Sequence, residues 1–166
     1  MLRIFAALMF TAAGALSGSA VSLRLRERRE LCRCIGLMLN NTAIMIRCTA
    51  ADVYELTGRL RITPGLSALS FIGELPERFE PGRDFHEVWS EALSAQEMPD
   101  EERQILSELG SALGRSDAEG QLSLIEGLNE RLKRITSARE EAYDRKGRMY
   151  RSVGILFGVM AGILVI

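Results

Sequence analysis

The chain has 166 residues, 47% of them hydrophobic and 26% charged, a balance suited to one packed unit rather than to disorder. Its 21 basic and 22 acidic residues nearly cancel, which speaks against a nucleic-acid binder or a polyanion sponge. The three cysteines, Cys32, Cys34 and Cys48, are odd in number and crowded together, unlike the framework of a disulfide-stapled secreted domain, and point to a reducing compartment.

From Ile4 to Leu23 the chain carries no formal charge, a run of about 30 Å as a helix and enough to cross a hydrocarbon core. It reads as a transmembrane helix. The rival reading is a cleaved signal peptide, with Gly18 and Ala20 as small residues before a cleavage site. Arg24, Arg26, Arg28 and Arg29 follow at once and favour a cytoplasmic flank. Near the other end, Arg139, Arg145, Lys146, Arg148 and Arg151 precede the uncharged run Val153 to Ile166. Counted from Met149, that run gives about 27 Å of helix, with Arg151 able to snorkel towards headgroups. All 22 acidic residues lie between the two runs. Both basic flanks therefore assign residues 24–152 to one cytosolic side, between anchors at 1–23 and 153–166. Gly14 and Gly18 in the first anchor, and Gly154, Gly158 and Gly162 in the second, recur every four residues and would let another helix approach closely. The general abundance of glycine in membrane helices is the alternative.

Between the anchors the spacing predicts helices throughout. Leu31, Ile35, Met38, Thr42, Met45, Thr49, Val53, Leu56 and Leu60 recur at three or four and predict one unbroken helix up to the turn Ile62-Thr63-Pro64-Gly65. A second helix is expected through Leu66, Leu69, Ile72 and Leu75, ended or kinked by Pro76. After the Pro81-Gly82 turn, Asp84 and Glu87 form a capping box for a third helix buried through Phe85, Val88, Trp89, Ala92 and Leu93. Pro99 and the acids Asp100, Glu101 and Glu102 open a fourth, with Ile105, Leu106, Leu109, Ala112 and Leu113 inward and Gly114 as its stop. Ser116 and Glu119 form a second capping box before a long helix whose seam is Ile125, Leu128, Leu132 and Ile135. The expected fold class is all-α: a helical bundle between an N-terminal and a C-terminal transmembrane helix, its two long helices paired as a stalk.

Catalytic groups are scarce. His86 is the single histidine and is expected at the surface. Cys32 and Cys34 sit two apart, which diverges on a helix and is shorter than usual zinc-ligand spacing, so buried thiols are expected and no metal site. Glu101-Glu102 and Glu140-Glu141 read as solvated faces, and no phosphate-binding loop is present. No catalytic residue, cofactor, nucleic acid or small-molecule substrate is expected. A polar turn and cap at Arg115, Asp117 and Gln121 is the candidate partner-binding surface; the alternative is that these side chains only cap and position a helix.

A double-anchored helical chain with Gly110, Leu113, Gly114, Asp117 and Gln121 spaced as Gly-x-x-Leu-Gly-x-x-Asp-x-x-x-Gln resembles the stage III sporulation protein AB family of endospore-forming bacteria. Trp89, Leu132, Tyr150, Gly154 and Gly158 extend the resemblance over nearly the full length. The stretches Asn41-Thr42-Ala43-Ile44 and Thr49-Ala50-Ala51 depart from the family's acidic residue, isoleucine and proline-bearing turn. The resemblance implies a non-enzymatic component of the channel between mother cell and forespore, in the mother-cell membrane around the forespore. It implies a cytosolic domain similar to the inner-membrane platform protein of type II secretion and type IV pilus machines. The implied partners are a companion sporulation ATPase and other channel proteins of the same operon. The competing reading is a membrane-tethered helical signalling or scaffold protein, motivated by the Ile125 to Ile135 seam.

Overall fold

A computed structural model describes residues 27–49, 52–79 and 81–140. The five glycines of the two expected anchors, and the anchors themselves, lie outside the described residues. Among the described residues no helix is long and apolar enough to cross a membrane. The chain divides into two units, Glu30–Thr136 and the two ends, Met1–Arg29 with Ser137–Ile166; the first is almost wholly described. The described residues are all-helical, with no strand.

Helix α1 (27–49) is followed by α2 (Val53–Arg61), a 3-10 helix (Ser70–Glu74), α3 (Phe85–Ala95), α4 (Asp100–Ala112) and α5 (118–140). The first departure from the expected order is the break before α2, where the spacing predicts continuous helix. Asp52 is extended (ψ 169°) and its Oδ1 accepts from the Glu55 amide at 2.7 Å, so a side chain satisfies a free N–H and starts a new helix. Apolar periodicity runs across the break because both helices face the same core: Ile35, Met38, Leu39, Leu56 and Leu60 are all buried.

The second departure is the segment expected as a full helix through Leu75. Leu66, Leu69, Ile72 and Leu75 are buried as expected, but their amides and carbonyls link in steps of three. Leu69 N–H reaches Leu66 O at 2.9 Å, Ile72 N–H reaches Leu69 O at 3.2 Å, and Leu75 N–H reaches Ile72 O at 3.3 Å. A strict spacing of three, without the alternation to four, is the period of 3-10 turns. Polar side chains hold this segment from both sides. Gln96 takes the Phe71 amide at 3.1 Å and donates to Ala68 O at 2.7 Å. Arg61 donates to Gly73 O at 3.0 Å, to Leu75 O and to the Glu77 carboxylate. The Thr57 hydroxyl reaches Pro76 O at 3.1 Å. Gly65, at φ +89°, turns the chain at α2's end against Leu37 and Arg33 of α1.

Helices α3 and α4 lie where expected, and the α3 stripe Phe85, Val88, Trp89, Ala92 and Leu93 is buried in full. Arg103 joins their connection by donating to Leu93 O at 2.7 Å and Gln96 O at 3.0 Å, carbonyls left free where α3 ends. Helix α5 packs on α1 through its expected seam. A Cβ on Gly36 would meet Leu132 Cδ2 at 3.5 Å, and Asn129 donates to Asn40 at 3.3 Å. Residue 36 facing 132 while 40 faces 129 makes the pair antiparallel, so Glu30 and Thr136 emerge at one end of it. Arg131 ties α5 to α4 through Glu108 at 2.8 Å and Gln104 at 2.6 Å.

Candidate functional site: the corner between the fourth and fifth helices

The motif Gly110 to Gln121 builds one corner. Gly110 lies under the indole of Trp89: a Cβ there would fall 2.2 Å from Nε1, so no larger residue fits without moving the ring. The indole N–H donates to Leu106 O at 3.0 Å, which pairs the one polar atom of a buried side chain. Phe71 and Phe85 surround the ring at centroid distances of 5.3 and 5.8 Å. Leu113 is buried and Gly114, at φ +73°, takes the left-handed conformation that ends α4.

The expected cap of α5 moves by one residue. Asp117, and not Ser116, supplies the cap: its Oδ1 accepts from Gly120 N–H at 3.0 Å and its carbonyl from Gln121 N–H at 3.0 Å. Asp117 is the better acceptor here because its carboxylate also sits in the positive end of the helix dipole. Gln121 turns back to donate to Ser116 O at 2.7 Å. Arg115, Asp117 and Gln121 are thus brought together at one corner, with Arg115 and Asp117 exposed and Gln121 half-buried. Arg115 reaches Asp84 at 3.7 Å, an exposed pair of small energetic weight.

His86 is not the freely solvated residue expected. It is half-buried, and its Nδ1 donates to Gly110 O at 2.8 Å, which fixes the start of α3 on the last turn of α4. The cap of α3 also differs in detail: Asp84 Oδ1 takes the His86 amide at 3.3 Å, with no capping bond to Glu87.

Cys32 and Cys34 are buried as expected and Cys48 is exposed; none of the three forms a disulfide. Burial pushes the Cys34 thiol above its usual range, and it donates to Gly65 O at 3.0 Å. Among the described residues no group of acidic, histidine or cysteine side chains is arranged to hold a metal. The pair Glu101-Glu102 is a further correction. Glu101 is exposed, but Glu102 is fully buried and accepts from the Cys32 thiol at 3.4 Å. Its position in the α4 register, three before Ile105, is the sequence signal for this burial, and its charge argues the other way.

The sequence profile described as stage III sporulation protein AB matches residues 3–166. The chain belongs to the stage III sporulation protein AB family. It is accordingly a stage III sporulation protein. No curated protein and no solved structure matches the chain. Of the residues that carry the resemblance, Trp89 and Gly110 lock α3 to α4, Gly114 and Asp117 form the corner, and Leu132 seats α5 on α1, while Tyr150, Gly154 and Gly158 lie outside the described residues.

Proposed function

We propose that the chain is a non-enzymatic membrane component of the sporulation channel between mother cell and forespore, acting as a cytosolic platform that docks a secretion-type ATPase. The observation that supports this most is the antiparallel α1–α5 pair, in which Glu30 and Thr136 leave the bundle at the same end. A chain tethered at both ends to one membrane face needs that geometry. The uncharged runs beyond residues 24 and 152, each behind a basic flank, supply the tethers. Family membership supplies the setting. Exposed Arg115 and Asp117, at a corner whose backbone is fixed by Gly110 and Gly114, with half-buried Gln121 beside them, are the partner-facing residues of this reading. In sporulating cells, replacing residues 24–152 with an unrelated helical linker should release the companion ATPase from the membrane fraction while the anchored remnant stays there. An ATPase still held on the membrane in that strain defeats the proposal.

The scaffold reading loses its main motive, because the Leu132 part of the seam is occupied within the chain by Gly36 of α1.

A further inference from the structure

The 3-10 helix and α3 enclose a groove of about 450 Å³ whose lining is divided by chemistry. Its floor is apolar: Phe71 from the 3-10 helix, Val88 and Ala92 from α3, all less than a tenth exposed. Above the floor stand Glu74 and Glu91, one from each wall, both exposed. Neither carboxylate has an ion-pair partner among the described residues. The cation that also lines the groove, Arg83, is already engaged in an interaction of its own. The amide of Gln96 makes one bond through each of its polar atoms, accepting from Phe71 N–H and donating to Ala68 O, and so fixes the wall.

An apolar floor beneath two unneutralised carboxylates is complementary to a side chain with an apolar stem and a cationic head. Arginine is the best match, because its methylenes pack along apolar surface and its planar guanidinium can donate to two carboxylates at once. Lysine offers the stem but only a point charge. We propose that this groove docks an arginine side chain of a protein partner, its stem over Phe71, Val88 and Ala92 and its guanidinium between Glu74 and Glu91. The inference deepens the docking reading, and rests on it only for which protein supplies the arginine. Two contacts hold the walls in place: Gln96 ties the 3-10 helix to the end of α3, and Phe71 is braced edge-on against Trp89 at 5.3 Å.

The test uses the full chain in nanodiscs of neutral phosphatidylcholine, which keeps a cationic probe off the lipid. The probes are two labelled helical peptides of alanine and leucine, identical except that one carries a central arginine and the other citrulline, which keeps the shape and removes the charge. The arginine peptide should bind with an affinity that falls as salt is raised, and the citrulline peptide about tenfold more weakly, the size of a charge-assisted hydrogen bond. Glu74→Gln and Glu91→Gln should each weaken the arginine peptide by about the same factor. Glu97→Gln, an exposed acid outside the groove, should not. The emission of Trp89, the single tryptophan, reports that each variant is folded. In the Glu91→Arg chain the preference should invert towards a peptide carrying glutamate. Equal binding of the two peptides, an equal loss in Glu97→Gln, or no binding at all overturns the proposal. A groove that binds nothing while the ATPase is still recruited in cells removes this inference and leaves the platform reading standing. Peptide binding without ATPase recruitment does the reverse.

Discussion

Two helix junctions in this bundle do the same job by different means, and they touch. At the α4–α5 corner a left-handed glycine, Gly114, stops one helix and an aspartate, Asp117, starts the next. At the α1–α2 break there is neither glycine nor proline, only Asp52, whose carboxylate takes the Glu55 amide. The first residue after that break, Val53, lies against Gly114: a Cβ on the glycine would fall 2.9 Å from Val53 Cγ1. One junction is fixed by backbone shape and close packing, the other by a single capping bond. The first should therefore be intolerant of small changes and the second forgiving.

The contrast breaks most sharply at Gly110. Gly110→Ala drives a methyl group into the indole of Trp89 and threatens its bond to Leu106 O, so it should destabilise the full chain by about 3 kcal/mol. Urea unfolding in detergent, followed by the loss of helical circular dichroism, measures this. Trp89→Phe made in the same chain should cost less than the two single changes added together, since the smaller ring leaves the methyl more room and the bond to Leu106 O is already lost. Strict additivity would mean that Gly110 matters for some reason other than the ring.

Gly114→Ala comes next, at about 1–2 kcal/mol, from the left-handed φ of +73° and the contact with Val53. The two causes separate in a double variant: Val53→Ala should recover the contact part and leave the conformational part. Full recovery would show that the corner is held by packing alone.

The difference between the junctions also explains what was legible in the sequence. Helices α3 and α4 are legible because each is bounded by residues with one structural meaning, Pro81-Gly82 and Pro99 before them and Gly114 after; the α3 stripe is complete, whereas in α4 Ala112 is only half-buried and Glu102 joins the buried face. The break at Asp52 was hidden because the apolar period continues through it, and periodicity reports which face is buried, not whether the helix is continuous. Yet the Asp52-x-x-Glu55 pattern is the same kind of signal that was read at Asp84. The 3-10 segment resembles a full helix in the sequence because its spacing of three is shared by both, and only the missing step to four distinguishes them. At the candidate site, the motif from Gly110 to Gln121 was visible, but its division of labour was not. Gly110 has meaning only when Trp89, distant in sequence, is folded onto it, and the bond from His86 to Gly110 O needs the same tertiary contact.

The forgiving junction gives the third prediction. Asp52→Ala should cost about 1 kcal/mol, the ordinary loss of a cap, and Asp52→Ser or Asn should restore most of it because either side chain supplies an acceptor. Asp117→Ala should lose a similar amount at the start of α5. A loss at Asp52 as large as that of Gly110→Ala would make the break a packed corner like the other and end the comparison.

The smallest effect separates stability from function. The Arg115 to Asp84 pair is long, at 3.7 Å, with both side chains about half exposed, so Arg115→Ala should shift unfolding by less than about 0.5 kcal/mol. Arg115 is also the residue of the corner whose side chain makes no capping bond, whereas Asp117 and Gln121 are occupied in holding the start of α5. A partner that docks at this corner can therefore engage Arg115 without loosening the fold. Loss of ATPase recruitment in Arg115→Ala, at unchanged stability, would mark the corner as a docking surface. Unchanged recruitment would leave the motif from Gly110 to Gln121 as a device for turning the chain between α4 and α5.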